Sequence, residues 1–238
     1  MRSLEGAAES LRLQRNTFVD HALFHLINEQ WTSPAFDLFM AALSDLQVWL
    51  PLIIPLVLAL LIFGGFRGRA FVVCLSLSLL FSEAAVVQTI KKTVGRPRPK
   101  QAGRVRLVQL QKTTPKFLSL FQPARPHYSE GWDRKPPGQG NSFPSAHVAN
   151  NFIVGTFCVL FFGRWGGLYF LIAALVSYSR IYLGAHWPSD VAGTVVLAVA
   201  EALVLAAFWD WLWRKLAPRW CPGVFAQHPR LFGKAESK

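Results

Sequence analysis

The chain predicts an all-α integral membrane bundle, and three observations predict it. Hydrophobic residues make up 52% of the 238 positions and charged residues only 16%, against about 25% charged in an average soluble domain. The apolar residues gather in runs of about 20, the length at which a helix crosses hydrocarbon. Gly64-Gly65 and Gly163 punctuate these runs as turns.

Five spans follow in order: Val48–Phe66 (with Pro51 and Pro55), Ala70–Ile90, His147–Phe162, Gly166–Tyr182 and Val191–Trp213. Residues 17–46 differ. Phe18 to Ile27 is apolar but interrupted by Asp20, His21 and His25. Ser33-Pro34 reads as a helix start, Ser as N-cap and Pro in the first helical position. After it, Phe36, Leu38, Phe39, Met40 and Leu43 alternate with Asp37, Ser44 and Asp45. This stretch reads as one or two interfacial helices, a sixth, imperfect span being the alternative. The expected organisation is one unit over 1–238. Interfacial helices occupy 1–47 and two spans 48–92. A basic loop over the active site occupies 93–143, three spans 144–213, and a solvated basic tail 214–238.

The net charge of +12 does not indicate nucleic acid. Lys91 to Lys135 holds twelve Lys and Arg against Glu130 and Asp133 and supplies most of the excess. No RNA- or DNA-binding motif accompanies it, and a basic loop beside a bilayer suits anionic headgroups. Cys74, Cys158 and Cys221 have neither metal spacing nor the pattern of a disulfide framework. The first seventeen residues mix Arg12 and Arg15 with Glu5 and Glu9 around no apolar core, so a cleaved signal peptide is not expected.

Three polar clusters end the apolar runs: Lys91-Lys92-Thr93-Val94-Gly95-Arg96-Pro97-Arg98-Pro99, Phe143-Pro144-Ser145-Ala146-His147, and Ser179-Arg180-Ile181-Tyr182-Leu183-Gly184-Ala185-His186-Trp187-Pro188-Ser189-Asp190. Five spans place all three at one membrane face. Charge at that depth is penalised and marks a site. The chemistry matches a phosphate ester, with cations to hold it, one histidine to attack and another to protonate.

At these residues the chain resembles the type 2 phosphatidic acid phosphatase (PAP2) superfamily, which shares its site with vanadium haloperoxidases. The signature K-x6-RP is met by Lys91, Arg98 and Pro99. PSGH is met by Pro144, Ser145 and His147, with Ala146 in the glycine position. SR-x5-H-x3-D is met by Ser179, Arg180, His186 and Asp190. Ala keeps the backbone N–H, so the departure matters only if the position needs positive φ.

The resemblance implies a metal-free, cofactor-free phosphohistidine route. Lys91, Arg98 and Arg180 are expected to neutralise the phosphate, the Arg forks matching paired oxygens. The Ser145 hydroxyl and the Ala146 and His147 amides at a helix start add donors. His186 is the expected nucleophile, Asp190 the carboxylate that orients its ring, and His147 the acid and then the base. Lys92 and Arg96 are secondary, as contacts to the headgroup.

Taken singly, each of these residues has a duller reading. His147 or His186 at a helix end is more often packing, Arg180 more often a snorkelling cation, and Asp190 a helix-start acid. Their joint occurrence at these spacings outweighs those readings. Trp187 reads as an interfacial aromatic, and Trp209, Trp211, Trp213 and Trp220 as an aromatic belt. Glu83 and Glu201 read as packed, hydrogen-bonded or protonated carboxyls, and His127 as solvated. His21 and His25 lack a third metal ligand.

The expected activity is hydrolysis of a lipid phosphate or diphosphate. Candidates are undecaprenyl diphosphate, phosphatidic acid, phosphatidylglycerophosphate or a lipid A phosphate, with membrane lipids as the other partner. A lipid phosphotransferase, a haloperoxidase-like enzyme and a non-catalytic lipid carrier are the alternatives. Arg67, Arg69, Arg164, Arg214, Lys215 and Arg219 lie at the other face. Short basic loops mark the cytoplasmic side, so the site is expected to face the periplasm or exterior of a bacterial inner membrane. Oligomeric state is not legible.

Overall fold

The computed structural model describes residues 18–129 and 138–232. Readings of the first seventeen residues, of Glu130 and Asp133 and of the chain end beyond 232 lie outside them. Among the described residues, four helical segments are long and apolar enough to span: Leu46–Phe63, Gly65–Ala102, Ala146–Tyr182 and Pro188–Trp220. The third contains two of the five expected runs. Helices α7 (Ala146–Phe162) and α8 (Tyr169–Tyr182) are joined by a 3-10 turn at Gly163–Leu168 and fold back on each other. Across this hairpin the Tyr169 hydroxyl donates to Asn151 Oδ1 at 2.9 Å.

Helix α1 (18–30) ends in a π turn, Leu26–Gln30. Helix α2 (Pro34–Ser44) starts as expected, with Ser33 accepting from the Phe36 amide at 3.3 Å and Pro34 in the first turn. Asp45 caps α3 (Leu46–Phe63) through the Gln47 amide at 3.1 Å. Of α3 only Val48 is buried, so the helix leaves most of its surface to lipid beyond its contacts with α4 and the 116–121 turn. Helix α4 (Gly65–Phe81) runs through a π turn, Ser82–Val87, into α5 (Gln88–Val94). Gly95 ends α5 at φ +60, with the Gly138 carbonyl 2.3 Å from where a Cβ would stand, so only glycine fits.

The described part of the 93–143 stretch, residues 93–129 and 138–143, carries regular elements. A short helix α6 (Pro99–Ala102) leads into an antiparallel hairpin, β1 (Arg106–Gln109) with β2 (Arg125–Tyr128), in the register Arg106↔Tyr128. Between the strands a 3-10 turn, Lys116–Phe121, lies against α3. The fold is the expected all-α bundle, with one small hairpin added at the polar face. Helix α9 (Pro188–Trp220), about 50 Å long at 1.5 Å per residue, packs on α7 through Ala198, Ala202 and Ala206, all buried. Small residues four apart let the two backbones approach closely where lipid provides no hydrophobic driving force. Helix α10 (Pro222–Gln227) follows.

Two apolar cores result. One fills the bundle middle with Phe71, Val87, Ile153, Phe157 and Phe161. The other lies under the polar face, where Phe24, Ile27 and Met40 meet Val148, Tyr182 and Trp187. The N-terminal helices are thus part of the fold, docked on α8 and the third motif.

Candidate active site

Backbone and side-chain hydrogen bonds tie the three motifs together. The Ser142 amide donates to the Arg96 carbonyl at 2.8 Å and the Gly140 amide to the Gly95 carbonyl at 2.8 Å, joining the first motif to the second. Trp187 Nε1 donates to the Pro97 carbonyl at 3.0 Å, joining the first to the third. The Ser145 amide donates to Thr194 Oγ1 at 3.0 Å, joining the second to the helix that carries Asp190.

Each site residue sits at an element end. Lys91 is in the last turn of α5 and Arg98 at the N-cap of α6. Ser145 is the N-cap of α7, which Ala146 and His147 open. Arg180 lies in the last turn of α8. Asp190 is third in α9. No described non-glycine residue has positive φ, so Ala146 in the glycine position is unstrained. Gly184, at φ +72, lets the α8–α9 link pass the Arg106 carbonyl, which would stand 2.6 Å from a Cβ.

The side chains these ends bring together are cationic and partly unsatisfied. Arg98 Nε, Ser145 Oγ, Arg180 Nε and His186 Nδ1 are buried without a hydrogen-bond partner. Among the described residues only four further buried side-chain atoms share that condition. Buried polar groups are normally paired, so a concentration of four on motif residues marks a place built for a ligand. Both His147 and His186 feel Arg180, Arg98 and Lys91. Burial, reinforced by the Arg180 and Arg98 guanidiniums, pushes the His186 imidazole well below its ordinary range, against the opposing pull of the Ser142 backbone. The free ring is therefore neutral at pH 7, the form able to attack phosphorus. Arg180 also donates to Ser44 Oγ, so the end of α2 is a wall of the site.

Asp190 corrects an expectation. Its carboxylate does not hold the His186 ring, whose Nδ1 is unpartnered. It accepts from Ser142 Oγ, from the Trp187 amide at 3.2 Å and from Arg96 at 2.6 Å. The reason is its place in the first turn of α9, where an acid reaches back to the amide before the helix. Asp190 positions the third motif rather than the imidazole directly.

Sequence reasoning missed the layer behind the pocket. Arg96 bridges Asp190 and Asp20, each at 2.6 Å, and Asp20 also accepts from the Ser189 amide at 2.9 Å and hydroxyl at 2.7 Å. Arg106 meets Asp37 at 2.5 Å, and Tyr182 Oη donates to Asp37 at 2.6 Å. Burial alone would lower the Arg106 pKa, but Asp37 outweighs it and holds the guanidinium above its ordinary range. Asn28 joins α1 to the Arg106 and Tyr182 carbonyls at 2.9 and 2.7 Å. Trp187 is no interfacial aromatic. It is 5% exposed, packed on Phe24 and His21 and overlaid by Arg96. The signal available was Asp20 and Asp37 interrupting apolar stretches, since acids on a buried face need cations. Glu201 accepts from Ser82 at 3.1 Å, in keeping with its packed reading.

Fold and site together define a multi-pass helical membrane protein with a cluster of cations and two imidazoles at one face. The profile of the PAP2 superfamily matches residues 71–214, and the chain belongs to that superfamily. It is 29% identical over 170 residues to a lipid A 4'-phosphatase of Bacteroides thetaiotaomicron, an alignment covering 69% of this chain and 66% of the relative. It is 32% identical over 83 residues to an Escherichia coli protein provisionally named undecaprenyl-diphosphatase YbjG, covering 33% of this chain and 40% of the relative. The chain therefore aligns with less than two thirds of the length of either relative. The crystal structure of Aquifex aeolicus LpxE superposes with a TM-score of 0.51 over 77% of this chain and 92% of that one, at 24% identity, a likeness of fold.

Proposed function

We propose that the protein is an integral membrane phosphatase that releases phosphate from a lipid phosphate or diphosphate through a phosphohistidine. The observation that carries this reading is the set of four buried, unpartnered polar atoms on Arg98, Ser145, Arg180 and His186. A phosphoryl group supplies the oxygens these donors lack. The names of the two relatives favour lipid A or undecaprenyl diphosphate among the candidate substrates.

Lys91, Arg98 and Arg180 hold the phosphoryl oxygens and tighten on the charge of the transition state. A neutral His186 nitrogen attacks phosphorus; the P–N bond forms as the P–O bond to the lipid breaks, and His147 gives its proton to the leaving oxygen. Water then attacks phosphorus, His147 takes its proton, the P–N bond breaks and phosphate leaves. The cations of this route are side chains, so it calls for no metal. Arg67, Arg69, Arg164, Arg214 and Arg219 fall at the helix ends away from the three motifs, and this distribution of basic residues supports a site facing outward from a bacterial inner membrane.

Purified protein in detergent micelles is expected to release inorganic phosphate from lipid phosphates. His186→Ala should lose on the order of 10^4-fold or more in turnover while still inserting and folding. Normal turnover by this variant refutes the assignment, and transfer of label to a second lipid instead of water identifies a phosphotransferase.

A further inference from the structure

One residue outside the three motifs touches both the acid and a phosphate-holding cation. Ser44, the last residue of α2, lies in the N-terminal stretch that the superfamily profile over 71–214 leaves out. Its hydroxyl accepts from Arg180 Nη1, and its backbone carbonyl accepts from the His147 ring. Ser44 is buried, and it borders one cleft together with His147 and Arg180.

The place of Ser44 in α2 gives it both contacts. The last carbonyls of a helix have no partner inside it, and the helix dipole puts partial negative charge at that end. Ser44 therefore presents an orphan carbonyl to an imidazole and a hydroxyl to a guanidinium. The end of α2 is held in place from both sides. Met40, Ala41 and Ala42 are buried. The Ala42 carbonyl accepts from the Asp45 amide at 3.2 Å and from Trp49 Nε1 at 2.9 Å, which ties α2 to the start of α3.

The chemistry follows from the two contacts. A carbonyl that accepts one ring N–H of His147 fixes the tautomer of the neutral ring. The other nitrogen is then the one that gives its proton to the leaving oxygen and later takes one from water. Arg180, tied to Ser44 through Nη1, keeps its buried Nε without a partner, available to a phosphoryl oxygen. Carbonyl and hydroxyl belong to one residue, so the acid and the cation are set at one spacing. A misplacement of about 1 Å in such a constellation costs on the order of 10²-fold in rate.

We propose that Ser44 is a positioning residue of the reaction, which fixes the acid His147 against the phosphoryl group that Arg180 holds. This inference rests on the phosphatase reading.

The test uses the full chain in micelles and two esters with matched tails, an alkyl phosphate and an aryl phosphate. The aryl ester leaves as a phenoxide and needs little help from an acid. Ser44→Ala deletes the hydroxyl and keeps the carbonyl. It should lower kcat/KM about 10-fold on both esters and weaken inhibition by inorganic phosphate to a similar degree, the scale of one charge-assisted bond. Ser44→Gly also loosens the helix end that carries the carbonyl. It should lose about 10-fold more on the alkyl ester alone, a part of the roughly 10²–10⁴-fold that a positioned acid supplies. Ser44→Thr keeps both groups and should restore wild-type rates. Thermal unfolding of each variant corrects the rates for folded protein. Wild-type rates in Ser44→Ala, or a Ser44→Gly loss equal on the two esters, overturn the assignment and leave the end of α2 as packing alone. Absence of phosphate release by wild type from both esters and from every candidate lipid overturns the phosphatase reading instead.

Discussion

Two tiers of arginine meet at the polar end of the bundle, and they are treated oppositely. In the outer tier every cation has its carboxylate: Arg96 between Asp20 and Asp190, Arg106 on Asp37. In the inner tier Arg98 and Arg180 each keep a buried Nε without a partner, as the outer Arg106 does at one Nη, but neither makes an ion pair: Arg180 feels the charge of Arg98, and Arg98 feels Asp190 only at a distance. Desolvating an unpaired cation is expensive, so a fold selected for stability alone would pair both tiers. On the proposed phosphatase reading, the difference separates cations that hold the site together from cations held ready for an anion. Stability and turnover should then respond to different residues.

The largest effect expected is on the outer tier, through Asp37. Asp37→Ala leaves Arg106, 11% exposed, without its counter-charge and the Tyr182 hydroxyl without its acceptor. Removing one partner of a buried pair costs about 3–5 kcal/mol, which for a chain of this size lowers Tm by about 10 °C. Activity per folded molecule should stay within about 10-fold of wild type, since a group behind the site acts only through its packing. Thermal unfolding and turnover at a temperature below both transitions check this. A turnover collapse with Tm unchanged would merge the tiers.

The inner tier should show the reverse. Arg98→Gln relieves repulsion with Arg180 while removing a phosphate donor, so Tm should hold or rise. Losing such a donor costs turnover about 10²–10³-fold. A matching fall in Tm would make Arg98 a structural cation. Stability that rises as activity falls is the signature of a strained functional site.

The inner tier was legible in sequence and the outer tier was not, for a physical reason. Lys91, Arg98, Ser145, Arg180 and His186 sit at helix ends in motifs whose spacing the chemistry imposes. Arg106 was one of many cations in a basic stretch, and its partners Asp37 and Asn28 lie 69 and 78 residues away. No local periodicity announces such pairings. The same blindness hid the β1–β2 hairpin, whose strands are four residues each, β2 exposed throughout and free of apolar alternation. The spans were read well because length and apolarity are local properties. The fold-back of α8 on α7 keeps the third and fourth expected runs as two separate helices within one continuous helical segment. Asp190 was placed correctly by its motif but assigned the wrong partner, because the reach of an acid in a helix's first turn back to the preceding amide competed with the imidazole and prevailed.

The smallest effect distinguishes the tiers by pH. An unperturbed histidine titrates near 6.5, so as a nucleophile it would be about 10-fold less available at pH 5.5. Burial and the unpaired Arg180 and Arg98 disfavour the His186 imidazolium and move its titration well below that value. The sign follows directly: as pH falls through 6.5 the ring stays neutral and nucleophilic, and protonation removes it only at more acidic pH. The rate of phosphohistidine formation in a single turnover at limiting substrate, which reports the free enzyme, should therefore lack an acid limb at 6.5 attributable to His186. Ring-carbon NMR of the unliganded protein should show the His186 signal unmoved between pH 7 and 5.5. Arg98→Gln, by removing one of the two nearby guanidiniums, should bring that titration back toward the ordinary value, whereas Asp37→Ala should leave it where it was. An unshifted His186 in the wild type would mean that the inner cations are already compensated, and the distinction between the tiers would fail at its most direct point.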